Sequence, residues 1–212
     1  MITAFVLTLL GVMAAQAAPG PNLAAVASVA LAQGRRPAVF VVTGIASGML
    51  IWSLATAFGL GVLISAYPLS LLVLKLAGGA YLLWLGLRAA RAVIAGNGPG
   101  AFGPVAGALS HGAAWRRGML VVLTNPKAAL MWAAVASFLF GQGLTAWQVL
   151  AFGPLGALSG LTIYGAYALL FSTGVAMRGY ARFARAVEGA FAAAFGAMGA
   201  TLLFSGLKET TR

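Results

Sequence analysis

The run Thr124-Asn125-Pro126-Lys127 puts a hydroxyl, a carboxamide, a helix breaker and a positive charge in four consecutive positions. It lies inside an apolar stretch, Gly118–Phe140, that is long enough to cross a bilayer. A helix rises about 1.5 Å per residue, and the hydrocarbon core is about 30 Å thick. A proline in such a span removes a backbone donor and clashes with the carbonyl four residues back. A lysine there is a charge in hydrocarbon, which costs about 2.5–3.5 kcal/mol even on the lenient insertion scale. Side by side, the two predict a broken helix lining a polar cavity. Pro19-Gly20-Pro21-Asn22 repeats the theme near the start of the chain. A helix that restarts after a break exposes N–H groups with partial positive charge, which suit an anion. Asn22 and Asn125 stand where they can cap those restarts.

Lys127 lies roughly 14 Å deep in its span, counted from the cytoplasmic end. Lys75 lies roughly 10 Å in from Pro68 on the other side. The chain has only two acids, Glu188 at or near the boundary of the last span and Glu209 in the tail beyond it, so neither can neutralise a lysine within the membrane. The ammonium groups must therefore meet backbone carbonyls, water or the negative end of a substrate. The expected substrate site comprises Lys127, Asn125, Asn22, Lys75 and Thr124, with Pro19, Gly20, Pro21 and Pro126 making the breaks. It prefers a small molecule bearing a carboxylate. For Lys75 the alternative is an ammonium that snorkels to the outer interface. Gly44 and Gly48, like Gly156 and Gly160, have the small-xxx-small spacing of close helix packing. Trp52, Tyr67, Trp84, Trp115, Trp132 and Trp147 read as interfacial or packing aromatics.

Enzyme chemistry finds nothing to use. There are no paired carboxylates, no metal-ligand cluster and no Ser–His constellation in the spans, and no cysteine at all. His111 stands alone in a loop. No enzyme activity, metal or cofactor is expected. The lack of intramembrane acids also argues against a cation channel or metal transporter.

The elements that must hold this site follow from composition. Of 212 residues, 62% are hydrophobic and 7% charged, against about 25% charged in soluble domains. Several separate apolar runs exceed the length of a spanning helix, and they lack the two-residue alternation of a barrel strand. The fold class is an all-α integral membrane protein. Six spans are predicted: Ile2–Asn22 with an extension toward Gln33, Ala38–Ile64, Leu69–Ala90, Gly118–Phe140, Trp147–Thr173 and Ala186–Leu207. Met1–Gly20, ending in Ala15-Gln16-Ala17, could also pass for a signal peptide, but it lacks a basic start and reads as an uncleaved span. Gly34-Arg35-Arg36-Pro37 reads as a basic turn, and Arg91–Arg117 as a long Gly- and Pro-rich loop.

Thirteen Lys and Arg set the topology rather than bind nucleic acid. One side collects Arg35, Arg36, Arg88, Arg91, Arg116, Arg117, Arg178, Arg182 and Arg185, and the other only Lys208 and Arg212. The first side is cytoplasmic, so both termini lie outside the inner (plasma) membrane of a bacterial-type cell.

The chain also repeats itself. Gly44-Ile45-Ala46-Ser47-Gly48 is answered by Gly156-Ala157-Leu158-Ser159-Gly160, and Gly79-Ala80-Tyr81-Leu82-Leu83 by Gly199-Ala200-Thr201-Leu202-Leu203. Each half holds an odd number of spans, so the second inserts upside down. That is the inverted-repeat plan of many secondary transporters. The predicted organisation is a first repeat over 1–90, a basic cytoplasmic loop over 91–117 and a second repeat over 118–212. Spans 1 and 4 are broken at proline.

Pro19-Gly20-Pro21-Asn22, Gly44-x-x-x-Gly48, Leu74-Lys75-Leu76-Ala77-Gly78-Gly79-Ala80-Tyr81, Arg117-Gly118 and Thr124-Asn125-Pro126-Lys127 occur in one order along nearly the whole chain. In this the sequence resembles the LysE-type amino-acid exporters, and the homoserine/threonine-efflux branch in particular. The resemblance implies an inner-membrane carrier that exports amino acids or related metabolites, driven by an ion gradient. Many relatives carry an acid where Asn22 stands, so a coupling proton has no intramembrane acid to support it here. The function expected is secondary export of a small zwitterion or carboxylate by alternating access. Its partners are the substrate and the lipid bilayer, with self-association left open. The alternatives are a non-transporting membrane scaffold or assembly subunit, and an anion channel.

Overall fold

A computed structural model of the chain describes residues 2–60, 66–67, 69–95 and 107–173, together with 186, 189, 192–193, 196–197, 199–201 and 203–208. Every regular element among them is helical: α1 (Ile2–Ala17), α2 (Pro21–Gln33), α3 (Arg35–Leu54), α4 (Leu69–Ile94), α5 (His111–Thr124), α6 (Pro126–Gly141) and α7 (Ala146–Phe171). A π-helical turn, Ala55–Leu60, continues α3. The described residues between 186 and 208 are helical as well.

Two helices, Arg35–Gly59 and Ala146–Phe171, are each long and apolar enough to cross a membrane. Two bent pairs pass the same test together, so the described residues hold up to four spans. The pairs are α1 with α2, bent by 49°, and α5 with α6, bent by 59°. These are the two proline breaks. Pro19 disfavours helix at Ala18, and Pro21 then starts α2 at the position where a missing N–H costs nothing. Pro126 plays the second role for α6.

Two boundaries differ from the sequence-based expectation. Arg35 and Arg36 form no turn; they open α3, with Pro37 tolerated in its first turn. The turn is compressed into Gly34, whose φ of 83° is left-handed and whose N–H closes α2 on Ala30 O at 3.0 Å. The long loop is also shorter than Arg91–Arg117. α4 runs on to Ile94, and α5 begins at His111, where Ser110 Oγ accepts from Ala113 N at 3.3 Å. Charge alone does not end a helix at an interface, because long cationic side chains carry their heads into water. Residues 96–106, and the basic positions Arg178, Arg182 and Arg185, lie outside the described residues.

α3 is the central element and packs against α2, α5 and α7, while α4 lies against α6. Its contact with α5 is made through main chains. A Cβ on Gly44 would overlap the Trp115 carbonyl, and one on Gly118 would overlap that of Val41. Gly48 faces Val122 in the same seam. On the other side Gly160 meets Met49 Sδ, 2.8 Å from where a Cβ would sit, and Gly156 meets Trp132 at an ordinary 3.6 Å. Gly79 and Gly199 bring α4 and the residues near 200 into close contact. The buried core, including Ile45, Met49, Trp132, Leu139 and Phe152, fills the space between α1, α3, α6 and α7.

Candidate functional site

Where α1 stops, its last carbonyls have no helical donor. That of Ala17, and two carbonyls of the break that follows, are met from elsewhere in the chain. Tyr167 on α7 donates its hydroxyl to Ala17 O at 2.8 Å. Lys127 donates its ammonium to Ala18 O at 3.3 Å and to Pro19 O at 3.2 Å. A cation thus sits at the negative end of a helix dipole, where it is favoured. Lys127 is half-buried, and Gly20 leaves it room: a Cβ there would stand 3.3 Å from Nζ.

The second break supplies the other half of the site. Asn125 ends α5 and caps α6, its Oδ1 accepting from Lys127 N at 2.9 Å. Its Nδ2 donates to Asn22 Oδ1 at 3.1 Å, and Asn22 Nδ2 donates to the Tyr164 hydroxyl at 3.3 Å. Both asparagines are buried, so this chain of bonds satisfies groups that water does not reach. Asn22 therefore bridges rather than caps; Gly20 holds the N-cap position of α2 and makes no side-chain bond there. The first bonds of the restarting turns run from Ala24 N to Gly20 O and from Ala129 N to Asn125 O. The N–H groups of Asn22, Leu23 and Ala128 precede those bonds at the two helix starts.

A cleft of about 360 Å³, counted with its open mouth, lies between the breaks. Lys127, Asn22, Asn125, Gly20 and Tyr164 line one part, and Gln16, Met49, Met131 and Trp132 another. Gln16 is held rigidly, donating to Gly156 O at 3.0 Å and accepting from Ser159 Oγ at 2.9 Å.

Of the residues expected at the site, Lys127, Asn125, Asn22 and Gly20 converge on the cleft. Thr124 does not: it is exposed, and its hydroxyl donates to Leu120 O at 2.7 Å. Lys75 lies on α4, but its side chain is outside the described residues. Gln16, Trp132, Tyr164 and Tyr167 join the site unannounced by any motif. Gln16 and the two tyrosines carry one faint signal, a polar atom in an apolar span that must find a partner. No group of His, Cys, Asp or Glu among the described residues could hold a metal.

Comparison with known proteins finds relatives along nearly the whole chain. The model of the LysE type translocator family matches residues 5–206. The threonine efflux protein of Escherichia coli (strain K12) is 30% identical over 190 residues, covering 88% of this chain and 91% of that protein. Its counterpart in Salmonella typhimurium is 29% identical with the same coverage. The homoserine/homoserine lactone efflux protein of Salmonella typhimurium is 30% identical over 185 residues, covering 87% of this chain and 88% of that protein. No solved structure matches the chain.

Proposed function

The chain belongs to the LysE-type translocator family, and from that premise we propose that it exports amino acids or related small zwitterions from the cytoplasm by alternating access. Relatives named for threonine and for homoserine efflux support the class of cargo. The observation that carries the reading is the ammonium of Lys127, lodged between two helix breaks. A substrate carboxylate docks on that ammonium and on the N–H groups of Asn22, Leu23 and Ala128 at the helix starts. Asn22 and Asn125 hold the two starts together.

The architecture we propose has six spans in two inverted halves, 1–90 and 118–212, joined by the basic segment 91–117, with both termini outside. Two reciprocal contacts support a pseudo-twofold axis between the halves. Aligned on Pro21 and Pro126, Gly20 answers Asn125 and Asn22 answers Lys127; Asn22 bonds to Asn125, and Lys127 lies against Gly20. Gly79 and Gly199, equivalent residues of the second repeat motif, each present the other's carbonyl to the space a Cβ would fill. Such i-to-j and j-to-i contact is the signature of a twofold relation. The cleft lining holds no carboxylate for a coupling proton to ride on, which leaves Lys127 as the basic group at the breaks.

Counterflow tests the reading. Purified protein in liposomes loaded with unlabelled threonine should take up labelled threonine transiently against its gradient. A correctly inserted protein that exchanges no member of a panel of amino acids and dipeptides is a scaffold, not a carrier. Uptake that never saturates would identify a channel.

A further inference from the structure

The cleft has two chemically different parts. One holds the Lys127 ammonium and the starts of α2 and α6. Further along α6, Ala128, Met131 and Trp132 share one helix face and line the same cleft. Trp132 is 1% exposed, and its indole N–H finds no acceptor among the described residues. An indole nitrogen donates and cannot accept. Burying it without a partner forfeits the bond that water made, so such groups are rare and call for a reason. The neighbours do not supply one. Gln16 is bonded to Gly156 and Ser159, and Phe152 meets the Trp132 ring edge-to-face at 6.4 Å. Gly156 keeps the adjoining wall free of side chain, since even a Cβ there would only touch the benzo edge of the indole at 3.6 Å.

We infer that the Trp132 N–H is the specificity donor of the cleft, taking a side-chain oxygen of the transported amino acid. This rests on the export reading above and narrows it to substrates with a hydroxyl or carbonyl one or two carbons beyond Cα. The reach agrees. Ala128 and Trp132 are separated by about 6 Å of helix rise, and a helical side chain leans back toward the N-terminus. A short chain held by its carboxylate at the start of α6 brings its first side-chain oxygen to the indole. A substrate lacking that oxygen leaves the N–H unpaired, and a site built around a buried donor rejects it on that account.

The test compares exchange of threonine, homoserine and 2-aminobutyrate, which lacks the hydroxyl of both, in proteoliposomes of the full chain. The wild type should favour the hydroxylated pair by about tenfold, the order of one hydrogen bond. In Trp132→Phe the preference should fall to within about twofold. Replacing Trp132 by its benzothiophene analogue, which swaps N–H for sulfur in the same ring shape, should do the same without repacking. A preference that survives the analogue overturns the inference, as does a wild type that does not discriminate. Loss of all three substrates in the analogue also overturns it, since the ring would then serve only to fill space. A wild type that inserts and exchanges none of the three sinks the export reading itself.

Discussion

Lys127→Met separates what the ammonium does for folding from what it does for transport. The substitution removes two charge-assisted bonds, to Ala18 O and Pro19 O. Bonds to charged groups contribute about 1.5–3 kcal/mol each, so about 3–6 kcal/mol is lost. Against this, a cation no longer has to be held at depth in the membrane, which returns about 2.5–3.5 kcal/mol. The remainder is about 0–3 kcal/mol, small enough for the variant to insert and fold. Transport should suffer more selectively. A carboxylate deprived of its cationic partner loses about 1.5–3 kcal/mol, or about ten- to 150-fold in exchange at low substrate. Melting of the detergent-solubilised protein measures the first quantity, and counterflow of labelled threonine in liposomes measures the second. Lys127→Arg, which keeps the charge, should retain more exchange than Lys127→Met. Wild-type exchange by a correctly inserted Lys127→Met protein would refute the charge assignment.

Asn22→Ala and Asn125→Ala should each lower stability by about 1–2 kcal/mol, Asn125 through its cap as well as its bridge. Their double-mutant cycle should show a coupling of about 0.5–1.5 kcal/mol in thermal melts, and strict additivity would deny the bridge. Gly44→Ala should destabilise by about 1–3 kcal/mol or block accumulation in the membrane, because the methyl overlaps the Trp115 carbonyl. Gly156→Ala makes only ordinary contact with Trp132 and should stay within about 0.5 kcal/mol of the wild type in the same melt. Tyr167→Phe removes the hydrogen bond to Ala17 O and should cost about 0.5–1.5 kcal/mol, read from the same transition.

The breaks are legible in the sequence because proline acts on its own backbone, whatever the fold. Pro19-Gly20-Pro21 and Asn125-Pro126 therefore mark the bent pairs directly. The lysine at the second break is legible for a related reason: a charge inside an apolar run demands a partner. Which partner it takes is not. The carbonyls of Ala18 and Pro19 lie more than a hundred residues away, and only the packing of α6 across the end of α1 brings them to Nζ. Tyr164 and Tyr167 are hidden for the same reason, since each touches a break on another helix. Trp132 is harder still, because an indole in an apolar span looks like packing until its nitrogen is traced. The starts of α3 and α5 are not legible, because arginine in the sequence reads as loop, whereas a helix end at a membrane surface can carry it.

Gly44 and Gly118 interlock so closely that α3 and α5 meet backbone to backbone. With no layer of side chains between them there is nothing to shear, and the two behave as one plank. In the alternating access we propose, the moving elements swing against that plank, not within it. On that proposal α1, α2 and α6, which flank the two breaks outside the plank, are left as the moving jaws.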